Sequence, residues 1–165
     1  MTDQVFIPAD ITELPFGLPG RIYRSPMPFG SRDPRGELIA QYHERNIAVV
    51  VALAPAEEMR AATGRDLKAC YQESGFELLH LPIRDYGIPD RENLRRVISS
   101  IVQHAGSGRN IAVHCNAGIG RTGLIMACLT KEVMGFDSAE AIRWVRMFIP
   151  GALETQQQIK LASSY

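Results

Sequence analysis

Only three cysteines, Cys70, Cys115 and Cys128, occur in the 165 residues. The number is odd and too small for a disulfide scaffold, which points to reduced thiols and a cytoplasmic setting. Charge of one sign is lacking too: eighteen Lys and Arg balance eighteen Asp and Glu. A nucleic-acid partner normally calls for a basic excess to meet its phosphates, so none is expected. No apolar run approaches the ~20 residues that span a bilayer; the longest covers residues 47–54. The first residues show neither the basic nor the apolar stretch of a secretory signal, and no membrane partner is expected. Four histidines (His43, His80, His104, His114) are scattered without ligand spacing, so no metal and no cofactor are expected.

Apolar residues make up 45% and charged residues 22%, enough for a core under a soluble surface. The length suits one domain over residues 1–165, taken as a monomer. Residues 8–36 are rich in Pro and Gly, so 1–36 reads as an irregular segment wrapped on the core. Within it, Arg21-Ile22-Tyr23-Arg24 would add an edge strand. Beyond it, apolar runs at 47–53, 76–81 and 110–114 read as strands. Helical patterns fall at 37–45, 57–74, 90–104, 121–134, 138–148 and 154–164. Strands alternating with helices imply an α/β fold, a mainly parallel central sheet with helices on both faces.

The chemistry concentrates in Val113-His114-Cys115-Asn116-Ala117-Gly118-Ile119-Gly120-Arg121-Thr122-Gly123. It joins a strand to a helix, where open α/β sheets bind ligands. Such a loop aims backbone N–H groups inward, and the helix N-terminus adds about half a positive charge. Gly118 and Gly120 supply the conformational freedom of an anion-cradling nest, and Arg121 supplies a planar fork for two phosphate oxygens. Cys115 opens the loop, so its sulfur is expected at the floor of the cradle, favoured as thiolate and in line with a bound phosphorus.

The string resembles the His-Cys-x5-Arg-Ser/Thr-Gly signature of the cysteine-dependent protein tyrosine and dual-specificity phosphatases. Leu81-Pro82-Ile83-Arg84-Asp85 resembles that family's general-acid loop, and Pro150-Gly151-Ala152-Leu153-Glu154-Thr155 a C-terminal segment of its small members. Gly20-Arg21-Ile22-Tyr23-Arg24-Ser25 resembles their early strand; in order and spacing the likeness is to the cyclin-dependent-kinase-associated phosphatase type. The resemblance implies a dual-specificity phosphatase fold. It also implies hydrolysis of phosphotyrosine, with phosphoserine and phosphothreonine, on a phosphorylated protein or peptide through a cysteinyl-phosphate intermediate.

It further implies Cys115 as nucleophile and Arg121 with Asn116, Ala117, Gly118, Ile119 and Gly120 as the phosphate cradle. Asp85 is then the general acid, with Asp90 as the other candidate, although Asp90 also suits a helix N-cap. Thr122 would hydrogen-bond the sulfur or serve the helix start; His114 would fix the loop from behind or simply be buried. Gln156, Gln157 and Gln158 read as a solvated helix face, and Cys70 and Cys128 as core residues, with a resolving thiol as the other possibility. Uncharged variable positions disfavour a polyphosphorylated lipid, and the loop's late position disfavours the low-molecular-weight phosphatase topology. The rival from another class is a silent phosphoprotein-binding pseudophosphatase. Arg21, Arg24, Arg32, Arg35 and Arg84 hint at an acidic partner surface.

Overall fold

Continuous apolar strands need cover on both faces, and helices supply it here. The computed structural model describes residues 11–165, so the first ten residues of the expected N-terminal wrap lie outside the described residues. The described chain runs β1 (Thr12–Leu14), β2 (Ile22–Ser25), α1 (Glu37–Glu44), β3 (Ile47–Ala52), α2 (Ala56–Thr63), α3 (Leu67–Glu73) and β4 (Glu77–His80). It continues through α4 (Arg91–Gly106), β5 (Asn110–His114), α5 (Gly120–Met134), α6 (Ser138–Phe148) and α7 (Gln156–Ser164). The strands form one sheet in the order β1-β2-β5-β3-β4. Only β1 is antiparallel; β2, β5, β3 and β4 pair in parallel.

Strand alternation sends side chains to two cores. Val49, Val51, Ile111 and Val113 pack with α4 through α7, while Val50, Ala52 and Ala112 pack with Tyr42, Met59 and Tyr71 of α1 to α3. Each fully buried Val or Ile contributes roughly 1.5–3 kcal/mol, so β3 and β5, buried on both sides, anchor the sheet. The α/β fold with its mainly parallel sheet and two helical layers is the one the alternating pattern implies.

Three local expectations change. Residues 22–25 are not an edge strand: β2 pairs with β5 from Ile22↔Ile111 to Ser25↔His114, and β1 takes the edge. A four-residue strand flanked by Pro and Gly gave no sign of being buried throughout. The helix expected over 57–74 is two, because Gly64 (φ 68) caps α2 and the Asp66 carboxylate restarts α3 by accepting from the Ala69 N–H. The last helix begins at Gln156 rather than 154, since Thr155 and Gln158 form a capping box there.

Candidate active site

All four parallel strands end on the same edge of the sheet, at Ser25, Ala52, His80 and His114. The residues just beyond those ends therefore converge, as open parallel sheets require of a ligand site. They line a cavity of about 270 Å³ that includes Arg32, Asp85, Cys115, Arg121 and Glu154. A larger hollow of about 520 Å³ between α2 and α3 shares no lining residue with it and contains no cysteine.

Cys115 sits at the floor, 2% exposed. Arg24 and Arg121 both have its sulfur as a favourable electrostatic neighbour. Between Cys115 and α5 the loop turns through Gly118 at φ 74. A Cβ at Gly118 would run into the Arg24 guanidinium and the Ser25 carbonyl, so no other residue fits there. Gly120 does not use the conformational freedom that the sequence suggests. Its φ is not positive; a Cβ there would meet the Glu154 carboxylate.

Arg24 holds the loop from behind. Its Nε donates to the Gly118 carbonyl at 3.1 Å and its Nη2 to the Ala117 carbonyl at 2.7 Å. With those carbonyls engaged, the N–H groups of residues 116–119 find no acceptor among the described residues. Such a row of unsatisfied donors at a helix start is an anion nest. Arg24 itself is fully buried, and burial pushes its pKa down to about 10. It is therefore not part of an acidic-partner surface, which corrects its grouping with the other flanking arginines. Arg32 does reach the pocket.

Arg121 is aimed before any ligand arrives. Its Nη1 and Nη2 donate to the two oxygens of Glu58 at 2.7 and 2.8 Å, and Nη1 also donates to the Ile83 carbonyl at 2.9 Å. This bidentate clamp fixes the guanidinium plane. Glu58 comes from α2, just past the end of β3, and sequence reasoning did not find it. The signal was partial: an acidic pair, Glu57 and Glu58, stands in the first turn of α2, the helix that follows β3 at the ligand edge of the sheet.

Asp85 stands across from Arg121, with Oδ1 at 3.2 Å from Nη2 and half of its side chain exposed. Asp90 caps α4, accepting from the Asn93 N–H at 2.9 Å, and lines a different groove. Of the two acids, only Asp85 borders the pocket. Thr122 is buried, and its hydroxyl has no hydrogen-bond partner among the described residues. The bond from that hydroxyl to the sulfur is thus not formed in this structure.

His114 is buried at the end of β5. Its Nδ1–H donates to the Cys115 carbonyl at 2.9 Å, which leaves Nε2 to accept from the Tyr71 hydroxyl at 2.7 Å. Burial pushes its pKa down to about 4, so it is neutral and positions the loop. Gln158 is not on a solvated face. It is buried, its oxygen accepts from the Glu154 and Thr155 N–H groups, and its amide donates to the Gly87 carbonyl at 3.2 Å. It ties α7 to the loop of Asp85, while Gln156 and Gln157 are exposed as expected. Cys128 is fully buried, and burial raises its pKa to about 12, in keeping with a core residue; Cys70 is only partly buried.

Comparison with known proteins places this arrangement. Residues 29–132 match the family model described as a polymorphic toxin system DSP-PTPase phosphatase. The chain is 36% identical over 88 residues to the dual specificity protein phosphatase CDC14A of Homo sapiens, covering 53% of this chain and 14% of that protein. It is 27% identical over 131 residues to the protein tyrosine phosphatase domain-containing protein 1 of Danio rerio, covering 74% and 18%. It thus spans under a fifth of the length of these curated relatives. Among solved structures, Tk-PTP in its active form has a TM-score of 0.75 at 28% identity, covering 99% of this chain and 97% of that one. Kinase associated phosphatase shares the fold, with a TM-score of 0.84 at 20% identity over 97% and 94% of the two chains.

Proposed function

The chain belongs to the dual-specificity phosphatase superfamily, and from that premise we propose that it is an active cysteine-dependent protein phosphatase. Its substrates are phosphotyrosine and phosphoserine or phosphothreonine on a protein or peptide. One observation carries this: a sulfur at the floor of a nest of unsatisfied N–H groups, with Arg121 clamped beside it by Glu58.

In the first step the Cys115 thiolate attacks phosphorus and forms an S–P bond as the ester P–O bond breaks. The loop N–H groups and Arg121 hold the three non-bridging oxygens, whose charge spreads in the transition state. Asp85, protonated, gives its proton to the departing oxygen, since an alkoxide or aryloxide leaves poorly. In the second step the Asp85 carboxylate takes a proton from water as that water attacks phosphorus. The S–P bond breaks, inorganic phosphate is released, and the Thr122 hydroxyl, otherwise unpartnered, turns to donate to the returning thiolate. We place this activity in one monomeric domain in the cytoplasm. Three unpaired thiols support that setting, and no helix among the described residues is long and apolar enough to cross a membrane.

The test is hydrolysis of p-nitrophenyl phosphate in excess chelator by wild type and Cys115→Ser. Turnover in the wild type that disappears in the variant is expected. Absence of turnover in the wild type, with phosphate analogues still bound, would replace the enzyme by a phosphoprotein-binding module.

A further inference from the structure

One carboxylate in the pocket has no part in the two steps above. Glu154 lines the cavity with Asp85, Cys115 and Arg121. The Gln158 carboxamide fixes its backbone, accepting from the Glu154 N–H at 2.8 Å. Its side chain lies against the first residue of α5, on the spot a Cβ of Gly120 would take. Asp85 faces it from the acid loop, Arg121 from α5, and Arg32 from the segment before α1. Glu154 is exposed as a residue, but partial desolvation of its carboxyl at the pocket rim and the neighbouring Asp85 hold that carboxyl above the ordinary value, outweighing the Gly120 N–H and the two arginines.

Charge around the cradle is finely balanced. Three guanidiniums, Arg24, Arg32 and Arg121, stand with three carboxylates, Glu58, Asp85 and Glu154. Among the described residues these six charges cancel formally before the thiolate and a phosphate dianion are added. With these carboxylates ionised, the loop N–H groups and the start of α5 supply the net positive field, and a proton on Glu154 adds a full unit to it.

We propose that Glu154 is a charge gate on substrate entry: the dianion binds when this carboxyl is protonated and is repelled when it is ionised. Binding then takes up a proton at Glu154, and oxyanion affinity falls as pH rises. The gate rests on the reading of the Cys115 loop as a phosphate cradle.

Sulfate is the probe, because its charge does not change between about pH 5 and 8, and Cys115→Ser is the background, because it removes the thiol's own titration. Calorimetric titration in buffers of different ionisation enthalpy gives both affinity and proton uptake. In the Cys115→Ser protein, sulfate affinity is expected to fall with rising pH, with a proton taken up on binding. Adding Glu154→Gln should flatten that slope, abolish the uptake and tighten binding about tenfold near pH 7.5. Glu154→Ser, a second variant without the carboxylate, should do the same, and a thermal melt establishes that each is folded. A slope that survives both variants but vanishes in Asp85→Asn assigns the effect to Asp85 and overturns the gate, as does weaker sulfate binding in Glu154→Gln. If no variant binds sulfate, the cradle itself fails and the gate with it.

Discussion

Acid should destabilise this protein through His114 before it reaches the carboxylates. His114 donates from Nδ1 to the Cys115 carbonyl and accepts at Nε2 from the Tyr71 hydroxyl, an arrangement open only to the neutral ring. Burial lowers its pKa from 6.5 to about 4. The folded state therefore refuses a proton that the unfolded chain accepts. The stability at stake is fully present above the unfolded value of 6.5 and is lost as pH falls toward about 4. At about 1.4 kcal/mol per pH unit the gap from 6.5 to about 4 is worth about 3 kcal/mol. For a domain of this size that lowers Tm by roughly 6–12 °C. Glu77 and Asp90, whose pKa values are lowered by Arg109 and by the Asn93 N–H respectively, withdraw support only below the ordinary carboxylate values of 4.5 and 3.8. The window from 6.5 to about 4.5 thus isolates the histidine. Glu154, held above its ordinary value, acts with the opposite sign and can only reduce the observed drop. Urea denaturation at stepped pH, for wild type and His114→Asn, measures it. The variant should be less stable at neutral pH but nearly flat across the window. Equal slopes in both proteins, or a flat wild type, would refute the reasoning.

Glu58→Gln keeps one neutral acceptor for Arg121, beside the Ile83 carbonyl and Asp85, and turns the other half of the bidentate clamp into a donor facing a donor. Losing charge-assisted bonds on a buried guanidinium should cost about 2 kcal/mol in denaturant stability and lower kcat/KM by about tenfold or more. Unchanged kcat/KM for p-nitrophenyl phosphate would remove Glu58 from the machinery. Thr122→Val deletes a buried hydroxyl that has no partner among the described residues, so stability should hold or rise by up to about 1 kcal/mol. In the same variant a burst of p-nitrophenol followed by slower turnover is expected, because only release of the thiolate needs that hydroxyl. Loss of stability with no burst would show the hydroxyl to be structural.

The cradle was legible in the sequence because it is local. Strand β5, the loop and the first turn of α5 are consecutive, so a string of seven residues, 115–121, carries the nucleophile, the nest and the arginine. The groups that make the cradle rigid are not local, and their residue types are ambiguous in one dimension. Glu57 and Glu58 are adjacent, and only the phase of α2 decides that the second meets Arg121. Gln156, Gln157 and Gln158 are three alike in a row, and the Thr155 cap sets the helix start that turns only the last one inward. Arg24 and Arg32 lie in the same Pro- and Gly-rich stretch. One is buried behind the loop and the other faces the pocket, because residues 22–25 pair with β5 between two buried faces. The cost of burying Arg24 explains why it is there. A guanidinium pushed down to about 10 by burial is retained only where its donors are used, and here they engage the Ala117 and Gly118 carbonyls. The loop's carbonyls are thus satisfied, while the N–H groups of residues 116–119 have no acceptor among the described residues. The unmet hydrogen bonding therefore sits where a phosphate can meet it, and a misplaced Arg24 would add two unmet carbonyls on the protein's own side of the loop.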